Sequence, residues 1–482
     1  MNNSRLLSII EFVFPVKKKE LGKFCLLSIL MFGILYIHAT LRSLKDTIIV
    51  PNIGAEALSF IDLYLVLPCA VLFTLAYTKL TNIIPSDRIF YFIKLMFLVI
   101  FSVFLLFVYP NTHILHPDPD NIDMLIATYP KLKWWLKLYG KWTYAIFAVV
   151  VELWGPIVTV LSFWQFANKV TSSEEAKRIY PTLALLGNFA LVMAGSVIKV
   201  SAKYTENVIE FNLAIIVFMI LLNMTTYFIS NKLLEVDNSK TAPKTNLSVF
   251  KSLKIILSSK YLLYIFGMVL AYGMINNMIE VQWKANIRQL YPEQNNYAKF
   301  MGSFTQYMGY ASIVIMMFGS HILRKFSWYA AAITTPIVVI MTSVFFFLSL
   351  IFKDSIEPYA QSIFHVNATQ FIVGLGMCQI ILMKASKYGL FDPTKEMAFI
   401  AADEEIKTKG KAAVDVVGMR LSDTTAALIQ SILLIFFQTA LIAGMTFSVM
   451  VIVYLILIMW VTSVKKLNRI YSKIAKNGHS HH

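Results

Sequence analysis

Two glutamates stand where an apolar residue would fit more easily. Glu152 lies in AVVVELWGPIVTVLSFWQFANK (148–169), and Glu280 lies late in AYGMINNMIEVQWK (271–284). A charge at the centre of a membrane helix costs about 2.5–3.5 kcal/mol on insertion scales. Asn276 and Glu280 are four residues apart and share a helix face, with Asn277, Gln282 and Lys284 close by. Such carboxylates can pair with cations to hold helices together, or they can line a transport pathway. Intramembrane ionisable groups are functional by default, which favours the pathway. Gly155 and Pro156, just after Glu152, can open the helix and free backbone carbonyls toward a cavity.

The matching cations lie in LRSLKD (41–46), where Arg42 and Lys45 are three apart on one face. This pair suits phosphate, Arg through its bidentate fork and Lys as a point charge. The alternative for these two residues is an interfacial anchor that snorkels. Lys141, Lys284, Lys384, Lys387 and Arg420 occupy or approach other apolar runs, and together they would make an anion-attracting cavity. Tyr64, Trp154, Trp164, Tyr272 and Trp283 lie near these charges. In a chain that is 14% aromatic, none is individually assigned to stack on a base.

The elements that must position these residues are membrane helices. The chain of 482 residues is 57% hydrophobic and 15% charged, too little polar surface for a soluble protein of this length. Twelve apolar runs are predicted near 24–44, 58–78, 89–109, 142–164, 180–200, 209–231, 260–282, 302–322, 328–352, 365–388, 416–442 and 445–463. A polar stretch, 232–258, separates six from six and reads as a linker. The expected fold is therefore all-α and polytopic, with a six-helix bundle at 1–231, a cytoplasmic linker at 232–258 and a second bundle at 259–482. This 6+6 layout is major-facilitator-like, with a site at the midplane between the halves.

The net charge of +16 is spread through short loops, so nucleic acid is not an expected partner. Lys17, Lys18, Lys19 and Lys23 precede the first span, and Lys79, Arg88, Lys177, Arg178, Arg324, Lys325, Lys407, Lys409 and Lys411 fill even-numbered connections. That bias puts both termini in the cytoplasm. Lys131, Lys133 and Lys137 in the third-to-fourth loop fit it imperfectly. Cys25, Cys69 and Cys378 lie in apolar runs and suggest neither zinc nor a disulfide. His113 and His116 with Asp118 and Asp120 offer at most a weak metal spacing in a loop, and no phosphate-binding GxxxxGK[ST] occurs. No cofactor, metal or catalytic residue is expected, and the chain is read as a monomer in the bilayer.

At LRSLKD, VELWG, FWQFAN, EAKRIYP, the N-x-x-E-x-x-WK of Asn277 to Lys284, KYGLFDPTKEMAFI and KGKAAVDVV, the sequence resembles the ATP/ADP translocase family of plastids and obligate intracellular bacteria. The resemblance implies a twelve-span nucleotide transporter of the inner membrane. The resemblance further implies exchange of ATP for ADP and phosphate with the host, although relatives take other nucleotides or couple uptake to protons. The family's two intramembrane glutamates match Glu152 and Glu280. Its two lysines in the second and eleventh spans fall on FIDLY and SDTTA, where this chain has Asp62 and Asp423. Like charges 4 Å apart repel by about 4 kcal/mol at an effective dielectric of 20. In one reading Arg42, Lys45, Lys284, Lys387 and Arg420 supply compensating charge and the substrate is still a nucleotide, seated differently. Otherwise Asp62 and Asp423 are proton sites, or the substrate is GTP, CTP, UTP or a less phosphorylated nucleotide. The expected gate has Glu152 and Glu280 paired with cations across the two bundles when the cavity is empty.

Overall fold

The computed structural model describes residues 16–83, 86–234, 249–325, 327–400, 402, 406, 410–437 and 442–479. Lys407 and Lys409 lie outside the described residues. Apolar segments in lipid must satisfy their backbone internally, so each run winds into a helix. The spans run Leu21–Asn52, Glu56–Ile83, Ser86–Val108, Trp142–Val170, Ser173–Tyr204 and Val208–Leu233, then Lys260–Leu290, Gln294–Lys325, Trp328–Ile351, Ala368–Ile400, Lys411–Phe437 and Thr446–His479. Among the described residues, eleven are long and apolar enough to cross a bilayer. The eighth, Gln294–Lys325, equals the first in length but carries more polar side chains.

Several spans extend beyond their predicted ends, because a helix need not stop where the hydrocarbon does. The tenth continues past 388 to Ile400, and the twelfth past 463 to His479. The predicted linker is not all loop. Val249–Ser258 is a helix, with Ser252 and Ile256 buried, that packs on the seventh and eleventh spans.

Polar caps set the helix starts. Ser172 and Glu175 form a reciprocal capping box before the fifth span, and Asn367 and Gln370 do so before the tenth. The first two spans are joined at Gly54, whose φ of +136° is open to glycine. A side chain there would also meet the Glu56 carboxylate at 2.7 Å and Arg288 at 3.1 Å.

The fifth and eighth spans lie in backbone contact. A Cβ on Gly195 would collide with the backbone of Gly302 and Gln306, and one on Gly302 would come within 2.7 Å of the Lys199 nitrogen. Small residues permit this approach where lipid supplies no hydrophobic drive. At the face where the first span starts (the near face), Lys23–Glu175 and Arg178–Glu20 tie the first and fifth spans at 2.9 and 2.5 Å. At the opposite, far face, Asn295 donates to the carbonyls of Thr205 and Glu206, and Tyr109 to Gln294.

Candidate functional site

Among the described residues, four spans carry a π-helical turn, and three of these turns adjoin the charged residues singled out above. Ile61–Val66 holds Asp62, Gly155–Trp164 follows Glu152, and Lys387–Phe391 begins at Lys387. A π-turn widens the helix by one residue and is common at functional sites. Gly155 and Pro156 thus widen the fourth span and do not break it.

The first span brings Lys45 and Asp46 into the middle of a chain of charges. Lys45 binds Glu152 of the fourth span at 2.5 Å and lies 3.7 Å from its neighbour Asp46. Asp46 binds Lys284 of the seventh span at 2.7 Å. Lys284 reaches back one turn to Glu280 at 2.9 Å, and Glu280 binds Lys384 of the tenth span at 3.0 Å. Asn276 also donates to Glu280, as their spacing predicts. Three carboxylates and three ammonium groups therefore alternate across four spans. The side chains of Lys45, Asp46, Lys284 and Glu280 are each less than a tenth exposed, while Glu152 is 26% exposed.

This arrangement corrects the expected gate. Glu152 and Glu280 each pair with cations from spans on their own side of residues 232–258. Within this chain of charges, the contact that joins the two sets of spans is Asp46–Lys284. Asp46 lay in the quoted LRSLKD, and Lys384 was one of several basic residues in the apolar runs. Nothing in their spacing marked them as the connection.

A second connection, made of hydrogen bonds, runs beside the first. Asn277 donates to Asp62 at 3.5 Å, Gln430 donates to Asn277 at 2.9 Å, and Ser59 donates to Gln430 at 3.1 Å. It joins the second, seventh and eleventh spans, and sequence reasoning missed Ser59 and Gln430. Asp423 is exposed, within Coulombic reach of Asp62, Glu152, Arg42 and Glu280. The two aspartates thus lie within electrostatic range of each other.

Among the described residues, Arg42 and Arg420 have no hydrogen bond or ion pair. Arg42 is exposed although residues 43–50 after it are all buried, and Glu152, Glu280 and Asp46 act on it electrostatically. Arg420 is half-buried within range of Asp423 and Glu152. Lys387 is not free, because it binds Asp392 at 3.0 Å across its π-turn.

The aromatic residues divide clearly. Trp154 packs on Phe97 and Phe101, Trp164 on Tyr180, and Tyr272 on Phe391 and Trp460. Trp283 donates to the Val373 carbonyl from a fully buried position, and Tyr64 lies on Trp135. Tyr388, which sequence reasoning did not single out, is 41% exposed and within electrostatic range of Arg42. In the far-face loop, His116 bonds Thr143 at 2.6 Å, and burial followed by Lys141 pushes its pKa down to about 4. Asp118 caps the helix Pro119–Thr128.

The charge chain makes a specific demand on Glu152. E152Q leaves Lys45 with Asp46 as its only acidic partner in the described network. The variant is expected to fold normally and to transport at least about tenfold more slowly, a change of roughly 1.4 kcal/mol. Initial uptake rates in vesicles, normalised to folded protein, check this. Unaltered uptake would remove Glu152 from the gate.

The fold resembles solved transporters at low identity. The inward-open xylose transporter XylE of E. coli aligns with a TM-score of 0.56 at 10% identity, covering 93% of this chain and 95% of that one. A bacterial homologue of the iron transporter ferroportin, in an inward-facing state, aligns at 0.54 and 12%, covering 93% and 98%. These likenesses carry the major-facilitator-like fold alone. Among relatives by sequence, ADP,ATP carrier protein 3 of Rickettsia bellii is 36% identical, covering 97% of this chain and 98% of its own. ADP,ATP carrier protein 1 of the same organism is 37% identical, covering 96% of each. The family described as TLC ATP/ADP transporter matches residues 1–471. Taken with the charged site between the spans, these matches place the chain in the TLC ATP/ADP transporter family, as a membrane transporter and not an enzyme.

Proposed function

We propose that the protein exchanges nucleotides, ATP against ADP, across a bacterial inner membrane by alternating access, as a monomer with both termini in the cytoplasm. The observation that carries this reading is the balanced charge chain through Asp46–Lys284, beside which Arg42 is exposed and has no ion pair among the described residues. The moving bodies are residues 1–231 and 259–482, joined by 232–258.

Nucleotide phosphates enter at Arg42 and Arg420 and compete with the carboxylates for Lys45, Lys284 and Lys384. The base lies against Tyr388. Substrate must favour the intermediate over both open states, since a ligand shifts an equilibrium only by its differential affinity. ATP and ADP differ in charge, so their exchange feels the membrane potential at about 2.3 kcal/mol per charge per 100 mV, unless phosphate or protons balance it.

Asp62 and Asp423 support a second reading, because two carboxylates on one site repel a polyphosphate. Protonation of either would relieve that repulsion and make uptake proton-coupled, or the cargo would be a different nucleotide. Counterflow in reconstituted vesicles separates the readings. Exchange predicts that internal ADP accelerates entry of labelled ATP at least about tenfold over empty vesicles. Uptake driven by a proton gradient into empty vesicles, or counterflow with another nucleotide only, overturns the ATP/ADP reading.

A further inference from the structure

A cavity of about 280 Å³ opens on the flank of the molecule between the fifth and eighth spans, away from the charge chain. Lys199 and Lys203 of the fifth span and Lys299 of the eighth line it, together with Ser196 and Gln306, whose side-chain amide donates to the Ser196 hydroxyl at 2.9 Å. Among the described residues, none of these three lysines has an ion pair, so three positive charges share one hollow without a carboxylate.

The surroundings of the hollow identify the anion. On the fifth span Phe189, Met193, Val200 and Tyr204 are exposed, at spacings that put them on the same helix face as Ser196. On the eighth span Tyr307, Tyr310, Val314 and Met317 are exposed in the same way below Lys299. These apolar stripes face lipid. The lysines lie toward the far-face ends of their spans, near Tyr204 and Gln294, and the stripes run from them toward the near face. A free anion needs only the lysines. A phospholipid uses both parts, with its phosphate on the ammonium groups and its acyl chains along the stripes.

We propose that this groove binds an anionic phospholipid of the far-face leaflet. The lysines come from spans on either side of the 232–258 linker, so the bound lipid bridges the two sets and favours the state in which the far end is closed. The fifth and eighth spans must part there for that end to open.

The test uses the purified full chain in neutral detergent, with the thermal unfolding midpoint as readout. It is titrated separately with phosphatidylglycerol, phosphatidylcholine and inorganic phosphate. Phosphatidylglycerol is expected to raise the midpoint, while the other two leave it unchanged. Each lysine near a membrane surface contributes about a fivefold factor in affinity for anionic lipid. The concentration of phosphatidylglycerol needed should therefore rise about a hundredfold in the triple variant K199Q/K203Q/K299Q, and stay near the original in K199R/K203R/K299R. If the triple glutamine variant does not fold, K299Q alone, at an exposed position, should show the fivefold rise. Equal stabilisation by phosphatidylcholine, equal stabilisation by phosphate, or an unshifted titration in the folded glutamine variants each overturns the proposal.

Discussion

Replacing Asp46 by asparagine is expected to open the far end of the molecule in the absence of substrate. Asp46 is 5% exposed at its side chain and contributes the 2.7 Å contact to Lys284 that joins the two sets of spans. Removing one partner of a buried pair costs about 3–5 kcal/mol. If half of the lower figure is expressed in the balance between closed and open ends, the open state gains roughly tenfold. D46N keeps the volume and one hydrogen-bond acceptor, so the helices retain their packing while the latch weakens. The readout is a cysteine at Ser59, a buried residue where the second span meets the eleventh, in a chain with Cys25, Cys69 and Cys378 replaced. A membrane-impermeant maleimide applied from the far face should label S59C about tenfold faster in the D46N background. Equal labelling rates in two folded proteins would show that Asp46–Lys284 does not hold that end shut.

R42Q should lower nucleotide affinity about 10- to 100-fold without changing stability. Hydrogen bonds to charged groups contribute about 1.5–3 kcal/mol each. Arg42 makes no ion pair among the described residues, so its removal leaves no buried carboxylate stranded. The expected loss is therefore of substrate and not of fold. R42K keeps the charge but loses the planar fork, and should fall between the two. Equilibrium binding of labelled ATP to the solubilised protein, with the unfolding midpoint alongside, checks both halves of the claim. Wild-type affinity in R42Q would move the phosphate site elsewhere, with Arg420 the next cation to test.

How far the sequence reached is clear from single residues. Glu152, Glu280, Asn276, Lys45 and Lys284 were legible because a polar group inside an apolar run is expensive, and because a spacing of four fixes a shared helix face. Their partners were not legible. Lys45 and Glu152 are 107 positions apart, and Lys384 and Glu280 are 104 apart. No local periodicity encodes which span stands beside which. The expected pairing across the bundles failed for the same reason: it chose the conspicuous carboxylates, whereas the crossing fell to Asp46, one position beyond Lys45. Lys387, expected as a compensating charge, folds back on Asp392 through a π-turn.

By itself the sequence determined that the chain crosses a membrane many times as helices, since bilayer thickness and backbone hydrogen bonding leave apolar runs of this length no other form. It also determined which spans carry charge. Only the tertiary structure decided which charges neutralise one another, which cations are left without an ion pair among the described residues, and where three lysines from distant helices gather on one flank. Those outcomes depend on distances between helices, and side chains at opposite ends of the sequence settle them by packing.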